Sequence, residues 1–204
     1  MHADESFSVA ASPQQLERTA RALLEAGFQV LIADTVDEAR KLVAELLPPD
    51  RTIFTATSET LRLSGIAADI NDSGQYRSVR AEAGDAPRDV EAQIRLGALP
   101  DVVVGSVHAV TEDGRLVIAS ASGSQLAPYV SGARKAIWVV GAQKVVPDLE
   151  TALRRVRTHS LPLENNRQQE LRGLGSFIGK ILIIEREGLP DRSTVILTAE
   201  TIGF

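Results

Sequence analysis

Two hydrophobic rhythms alternate along this chain: a helical spacing of three and four, and short unbroken runs of β-branched residues. Ser12-Pro13-Gln14-Gln15 supplies an N-cap, a proline at the first helical position and a capping-box Gln. Leu16, Ala20, Leu23 and Leu24 then share one helical face, and Gly27 ends it. Residues 28–33 read as a buried strand. Thr35 to Glu38 form a second capping box, opening a helix with Val36, Ala39, Leu42, Val43 and Leu46 inward and stopped by Pro48-Pro49. The alternation continues with a strand over 51–57, a helix containing Leu61, Ile66, Ala67 and Ile70, and a turn over 71–74. Residues 87–99 are expected to be helical with Val90 and Ile94 inward. Strands are predicted over 101–106, 115–120 and 136–140, and a helix over 148–159 carries Leu149, Leu153 and Val156 on one side. Residues 180–185 and 194–201 look like a hairpin or neighbouring antiparallel strands. The predicted class is α/β, with a mostly parallel or mixed sheet, helices on both faces and a mixed edge at the closing pair. No repeat or internal linker divides the chain, so the expectation is one domain over 13–204 behind a flexible tail over 1–12.

Composition narrows the setting. The 204 residues suffice for a real core, and 44% hydrophobic with 24% charged residues is ordinary for a globular protein. A net charge of −5 argues against nucleic acid as a partner, and no apolar run reaches the length of a membrane span. Without cysteine there is no disulfide, thiolate metal site or cysteine-ligated iron–sulfur cluster within the chain. The acidic N-terminus lacks a signal pattern, and the expected location is cytoplasmic.

In open α/β sheets, ligands lie beyond the carboxyl ends of parallel strands. Four such ends here are small or polar: Thr55 to Ser58, Gly105 to His108, Ser120 to Ser124, and Gly141 to Lys144. Their hydroxyls and amides suit phosphate or carboxylate oxygens, which makes an anionic small molecule the expected ligand. Candidate binding residues are Thr57, Ser58, Gly105, Ser106, Ser122, Gly123, Ser124, Gln125 and Lys144. Each junction also has a local explanation. Thr57 or Ser58 caps the next helix, and Ser122-Gly123-Ser124-Gln125 fits a capping box. Convergence of several junctions is what favours a shared pocket. Thr111-Glu112-Asp113-Gly114 reads first as a hairpin turn; the functional alternative makes Glu112 a nucleophile or general base. His108 is placed to donate to a ligand oxygen or to transfer a proton near neutral pH, against a local hydrogen-bonding role. The three histidines form no metal motif, so no metal is assigned and the sequence identifies no cofactor.

Two further features stand apart. Arg134, Lys135, Lys144, Arg154, Arg155, Arg157, Arg167 and Arg172 outnumber Asp148, Glu150, Glu164 and Glu170. Solvation of a helix, whose C-terminal dipole Arg154, Arg155 and Arg157 favour, is the preferred account, and docking of an acidic partner the sharper one. The glycine-rich stretch 173–179 precedes a strand, unlike a dinucleotide fingerprint. It reads as a flexible segment crossing a site or the subunit contact of a homo-oligomer.

The run VVVGSVHAVTEDGRLVIASASGSQLAPYVSGARKAIWVVGAQKVVPDLETALRRV resembles the lactate-utilisation (LUD) domain family, with thinner similarity at Thr55 to Leu61 and Leu161 to Glu164. The resemblance implies a fold like that of sugar-phosphate isomerases and coenzyme A transferases. It further implies a role in lactate or organic-acid utilisation, as an anion-binding protein or as a non-catalytic accessory subunit beside iron–sulfur partner proteins. Lactate-linked relatives tend to carry an acidic or amide residue near Val107, an aromatic where His108 stands and Asn where Ser124 stands; Glu112 and Gly114 fit the shared pattern. Thr111 to Gly114 is also similar to the Ser-Glu-Asn-Gly run of coenzyme A transferases, which implies acyl transfer through Glu112 as a further alternative.

Overall fold

A computed structural model describes residues 2–83 and 100–204; the helix expected over 87–99 lies outside the described residues. Helix α1 (Pro13–Glu25) starts at the predicted capping box, where Gln15 N–H donates to Ser12 Oγ and Ser12 N–H donates to Gln15 Oε1. Strand β1 (Gln29–Ala33) and helix α2 (Val36–Leu46) follow, the latter capped by Thr35. After β2 (Thr52–Thr55), the expected single helix is two, α3 (Glu59–Leu63) and α4 (Ile66–Asn71). They break at Gly65, whose φ of 79° lies in the left-handed region that only glycine enters cheaply. Then come β3 (Arg77–Ser78), α5 (Val79–Ala83), β4 (Val102–Gly105), β5 (Ala109–Thr111), β6 (Leu116–Ser120), β7 (Lys135–Gly141) and β8 (Val145–Val146). The chain closes with α6 (Leu149–Arg155), α7 (Leu161–Arg172), β9 (Lys180–Ile184) and β10 (Ser193–Thr198).

The larger sheet runs β1-β10-β7-β4-β2-β3, parallel throughout. Its central strands β4, β7 and β10 are buried almost without interruption, as expected of parallel strands covered on both faces. Alternation along them divides two cores. Val102, Val104, Ile137, Val139 and Ile196 pack with Ala39, Val43, Leu61, Ile66 and Ile70 from α2, α3 and α4. Val103, Trp138, Val140, Val195 and Leu197 face the other way, towards Leu16 and Leu23 of α1 and towards Val110, Leu116 and Ile118 of a second sheet. That sheet runs β8-β5-β6-β9. Its outer side packs Ala109, Val117, Ala119 and Val146 against Ala152, Val156 and Phe7.

The sheets meet at a fork. Strands β4 and β7 are neighbours in the larger sheet, with Gly105 opposite Trp138. Both cross to the smaller one, β4 through Ser106, Val107 and His108 into β5, and β7 through the turn Ala142–Lys144 into β8. There they pair again in parallel, Val110 opposite Val145.

Three expectations are corrected. Strands β9 and β10 are not a hairpin: β9 pairs antiparallel with β6, while β10 lies inside the larger sheet between β1 and β7. The half-exposed β9 suits an edge and the fully buried β10 an interior position. The helix expected to stop at 159 continues through a π turn at Val156–Ser160 into α7, whose first turn carries Pro162. The presumed free tail is docked. Asp4 N–H donates to the Thr158 carbonyl at 2.8 Å, Phe7 is 7% exposed beneath the Arg154 guanidinium, and Ala11 N–H reaches the Ala142 carbonyl.

Candidate functional site

A cavity of about 390 Å³ opens where the carboxyl ends of β2 and β4 meet the fork. Thr57, Ser58, Ser106, His108, Ser122, Ser124, Gln125 and Lys144, all expected from sequence, line it. Three expected residues do not. Gly105 lies behind the wall, where a Cβ would stand 1.6 Å from the Tyr129 hydroxyl oxygen. Gly123 turns the chain at φ 88° and lies under the Lys180 side chain. Glu112 is on the β5–β6 turn, outside the cavity, where its carboxylate accepts from Gln15 Nε2 at 3.0 Å and Arg18 Nη2 at 2.8 Å. The hairpin reading of that turn holds, with Gly114 N–H bonded to the Thr111 carbonyl and Gly114 at φ 91°. The capping box expected at Ser122 does not form. With Gly123 left-handed, Gln125 Oε1 instead accepts from the Ser120 and Ser124 hydroxyls, and Ser122 Oγ accepts from Ser124 N–H.

Lys144 ends the β7–β8 turn with its side chain almost fully enclosed. Nζ donates to Thr60 Oγ1 at 2.8 Å and Ser106 Oγ at 3.0 Å, and burial, then the Arg155 guanidinium, push the amine well below its ordinary range. His108 accepts the Ala119 N–H on Nδ1 at 3.1 Å, which puts the proton of the neutral ring on Nε2. Burial, then Lys144 and Arg155, hold its pKa down to about 3, favouring a neutral donor over proton transfer at neutral pH. Arg80 comes from α5. It donates to the Thr55 carbonyl and to Thr57 Oγ1 at 3.3 Å, stacks its guanidinium 4.8 Å from the Phe54 ring centre, and pairs with no carboxylate among the described residues. Burial pushes it below its ordinary range.

A LUD domain sequence profile matches residues 16–198. The chain belongs to the LUD domain family. A crystal structure of a DUF162 family protein from Deinococcus radiodurans superposes with a TM-score of 0.54 at 14% identity, covering 91% of this chain and 96% of that one. Ribose 5 phosphate isomerase A from Neisseria gonorrhoeae aligns over 57% of this chain and 56% of its own, with a TM-score of 0.37 and 17% identity. A comparison with curated proteins finds no match.

The mouth of this LUD domain cavity is formed by α7 and the glycine-rich segment behind it. Arg167 forks onto Glu164 through two bonds of 2.7 Å and lies 3.7 Å from Glu59. Leu174 and Phe177 stand at the rim, 64% and 65% exposed. Behind the wall, Arg155 is fully buried, contrary to its expected place on a solvated helix face. It turns inward because buried acceptors await it: it donates to Gln143 O, His108 O and Ser160 Oγ, while Nη2 has no partner among the described residues. Burial pushes its pKa down to about 10. Among the described residues no group of three or more His, Asp or Glu side chains is placed to hold a metal, and no helix is long and apolar enough to cross a membrane. Sequence reasoning missed Arg80, Tyr129 and Arg167. Arg80 lies on a five-residue helix with no periodic signal, and Tyr129 shows its role only through the space left by Gly105.

Proposed function

We propose that this LUD-family protein is a cytoplasmic component of lactate or organic-acid utilisation that binds a small organic anion in the cavity at the fork. The observation that carries the reading is Arg80: a cation at a hydroxyl-rich wall, fixed on one side by Thr55 and Thr57 and without a carboxylate partner among the described residues. A guanidinium so placed offers its remaining N–H groups to a carboxylate or phosphate. Ser106, Ser122 and Ser124 line the same space with hydroxyls. The cavity size suits a small metabolite.

Thermal unfolding with lactate, pyruvate or inorganic phosphate at matched ionic strength tests this. A ligand at 100 times its Kd stabilises by about 2.7 kcal/mol, which is roughly 5–10 °C for a chain of this size. The shift is expected to fall sharply in Arg80→Met and in Ser124→Ala. No shift with any of the three anions would reject the reading.

The exposed Leu174 and Phe177 beside the mouth favour a second reading, an accessory subunit that seats an iron–sulfur partner protein there. It predicts a stable complex in native cell extracts that Phe177→Asp abolishes; a complex unaffected by that change places the partner elsewhere. Acyl transfer through Glu112 is not carried forward, because Gln15 and Arg18 occupy that carboxylate outside the cavity.

A further inference from the structure

We infer that Lys144 is a nucleophilic amine that condenses with the carbonyl of a small 2-oxo carboxylic acid held in the cavity. This rests on the reading of the cavity as an organic-anion site and names the chemistry of that anion.

Lys144 is 1% exposed, yet it lines the cavity. Its two hydrogen-bond partners are the hydroxyls of Thr60 and Ser106, and no carboxylate among the described residues forms an ion pair with it. Two acceptors match the two N–H bonds of a neutral amine and leave the nitrogen lone pair free, whereas an ammonium would carry a third donor to satisfy. A second buried cation stands close behind. Arg155 donates to the carbonyl of Gln143, the residue before Lys144, and its other partners are likewise uncharged. Burial beside a cation, with no counter-ion, disfavours the ammonium and activates the amine. The lowered basicity of Lys144 agrees with this arrangement.

The second half of the argument is the neighbouring anchor. Tyr129 links the two groups: its phenol lies against the Ser106 main chain, and the Arg80 charge acts on it. Ser106 in turn accepts from Lys144 Nζ. Arg80 and Lys144 therefore lie along one wall, an anion anchor and an amine, and a molecule carrying a carboxylate beside a carbonyl answers both. In the reaction, the Nζ lone pair forms a C–N bond as the carbonyl π electrons move to oxygen. The two amine hydrogens end on that oxygen, the C–O bond breaks, and water leaves an imine that takes up a proton. No oxidant or reductant is required. Lactate, with a hydroxyl in place of the keto group, would occupy the anion site without forming the bond.

The test traps the imine in the wild-type protein. Folded protein is incubated with pyruvate at neutral pH, treated with sodium borohydride and digested for peptide mapping. Hydride adds to the imine carbon and fixes the three-carbon acid on the lysine as a secondary amine. Lys144 is expected to carry at least ~10-fold more label than Lys41, Lys135 or Lys180 in the same digest, since each pKa unit of depression raises the neutral fraction about tenfold. With lactate in place of pyruvate, the label is expected to vanish. Absence of label at Lys144, or equal labelling of all four lysines, while pyruvate still raises the Tm, overturns the imine and leaves the anion site standing. Absence of label together with no Tm response to lactate, pyruvate or phosphate overturns both.

Discussion

Gly105 leaves behind the cavity wall the space that the Tyr129 phenol fills, and Gly105→Ala tests whether Tyr129 is locked there. The new methyl carbon would stand 1.6 Å from the phenol oxygen, 2.7 Å from Cζ and 3.1 Å from Cε1. Tyr129 is 1% exposed and its ring lies 5.5 Å from that of Trp138, so the displaced side chain can move only towards the cavity that it lines. Forced overpacking costs about 1–3 kcal/mol, and partial expulsion of a buried aromatic brings the expected loss to about 3 kcal/mol, within the range for deleting such a ring. For a chain of this size that is roughly 6–12 °C in Tm. Tyr129→Phe alone should cost about 1 kcal/mol, because it removes a buried phenol oxygen that lies close to the Ser106 main chain. In the double variant the nearest contact relaxes from 1.6 Å to 2.7 Å, so the glycine change should cost about 1–2 kcal/mol less than in the wild-type background. Urea unfolding of all four proteins, compared at unchanged m, measures this coupling. Additivity within about 0.5 kcal/mol would refute the placement of the tyrosine.

His108→Asn removes a group that the native state keeps neutral. Burial, then Lys144 and Arg155, lower its pKa from 6.5 to about 3 on folding, so as the pH falls below 6.5 the unfolded chain takes a proton that the native protein does not. Wild-type stability from this source is present above that pH and is lost towards pH 3, at up to roughly 1.4 kcal/mol per pH unit. The stability gap between wild type and variant should therefore narrow on acidification, and parallel pH profiles would contradict it. Arg192→Met should cost about 3–5 kcal/mol. It strands the carboxylate of Glu187, 2.9 Å from the guanidinium, and leaves the carbonyls of Ala133, Pro128 and Tyr129 without their donor. A loss in the urea midpoint worth under about 1 kcal/mol would show that water or other donors replace it. Glu112→Gln should cost at most about 1 kcal/mol and leave the anion-induced Tm shift unchanged; loss of that shift would return Glu112 to the site.

The sequence was most legible where a local interaction decides the structure. The capping box at Ser12 and Gln15 and the turn at Asp113-Gly114 form as read, because both need only residues within a few positions of each other. The apolar runs of β4 and β7 announced buried parallel strands for a similar reason. What could not be read was partner choice. Residues between β9 and β10 carry Gly188, Pro190 and Asp191, the chemistry of a turn, yet the chain uses them to change sheets. Nothing in a period of two says which edge a strand will meet. The cavity divides likewise. Hydroxyls at strand ends were visible because the class of fold locates ligands there, whereas Arg80 carried no signal and Arg155 read as part of a solvated helix face. Burial of an arginine depends on distant carbonyls, such as those of Gln143 and His108, that no local pattern reveals.

The fork gives the site a mechanical character. Ser106 and Lys144 are the links through which two adjacent strands pass from one sheet to the other, and one hydrogen bond ties the links together. Any slide of the smaller sheet against the larger is geared directly into the spacing of that hydroxyl and that amine. The N-terminal segment, bolted through Phe7 and Asp4 to the outer side of the smaller sheet and its helix and through Ala11 to the Ala142 carbonyl, acts on the same joint. Loosening it should retune the pocket without altering a single residue that a ligand touches.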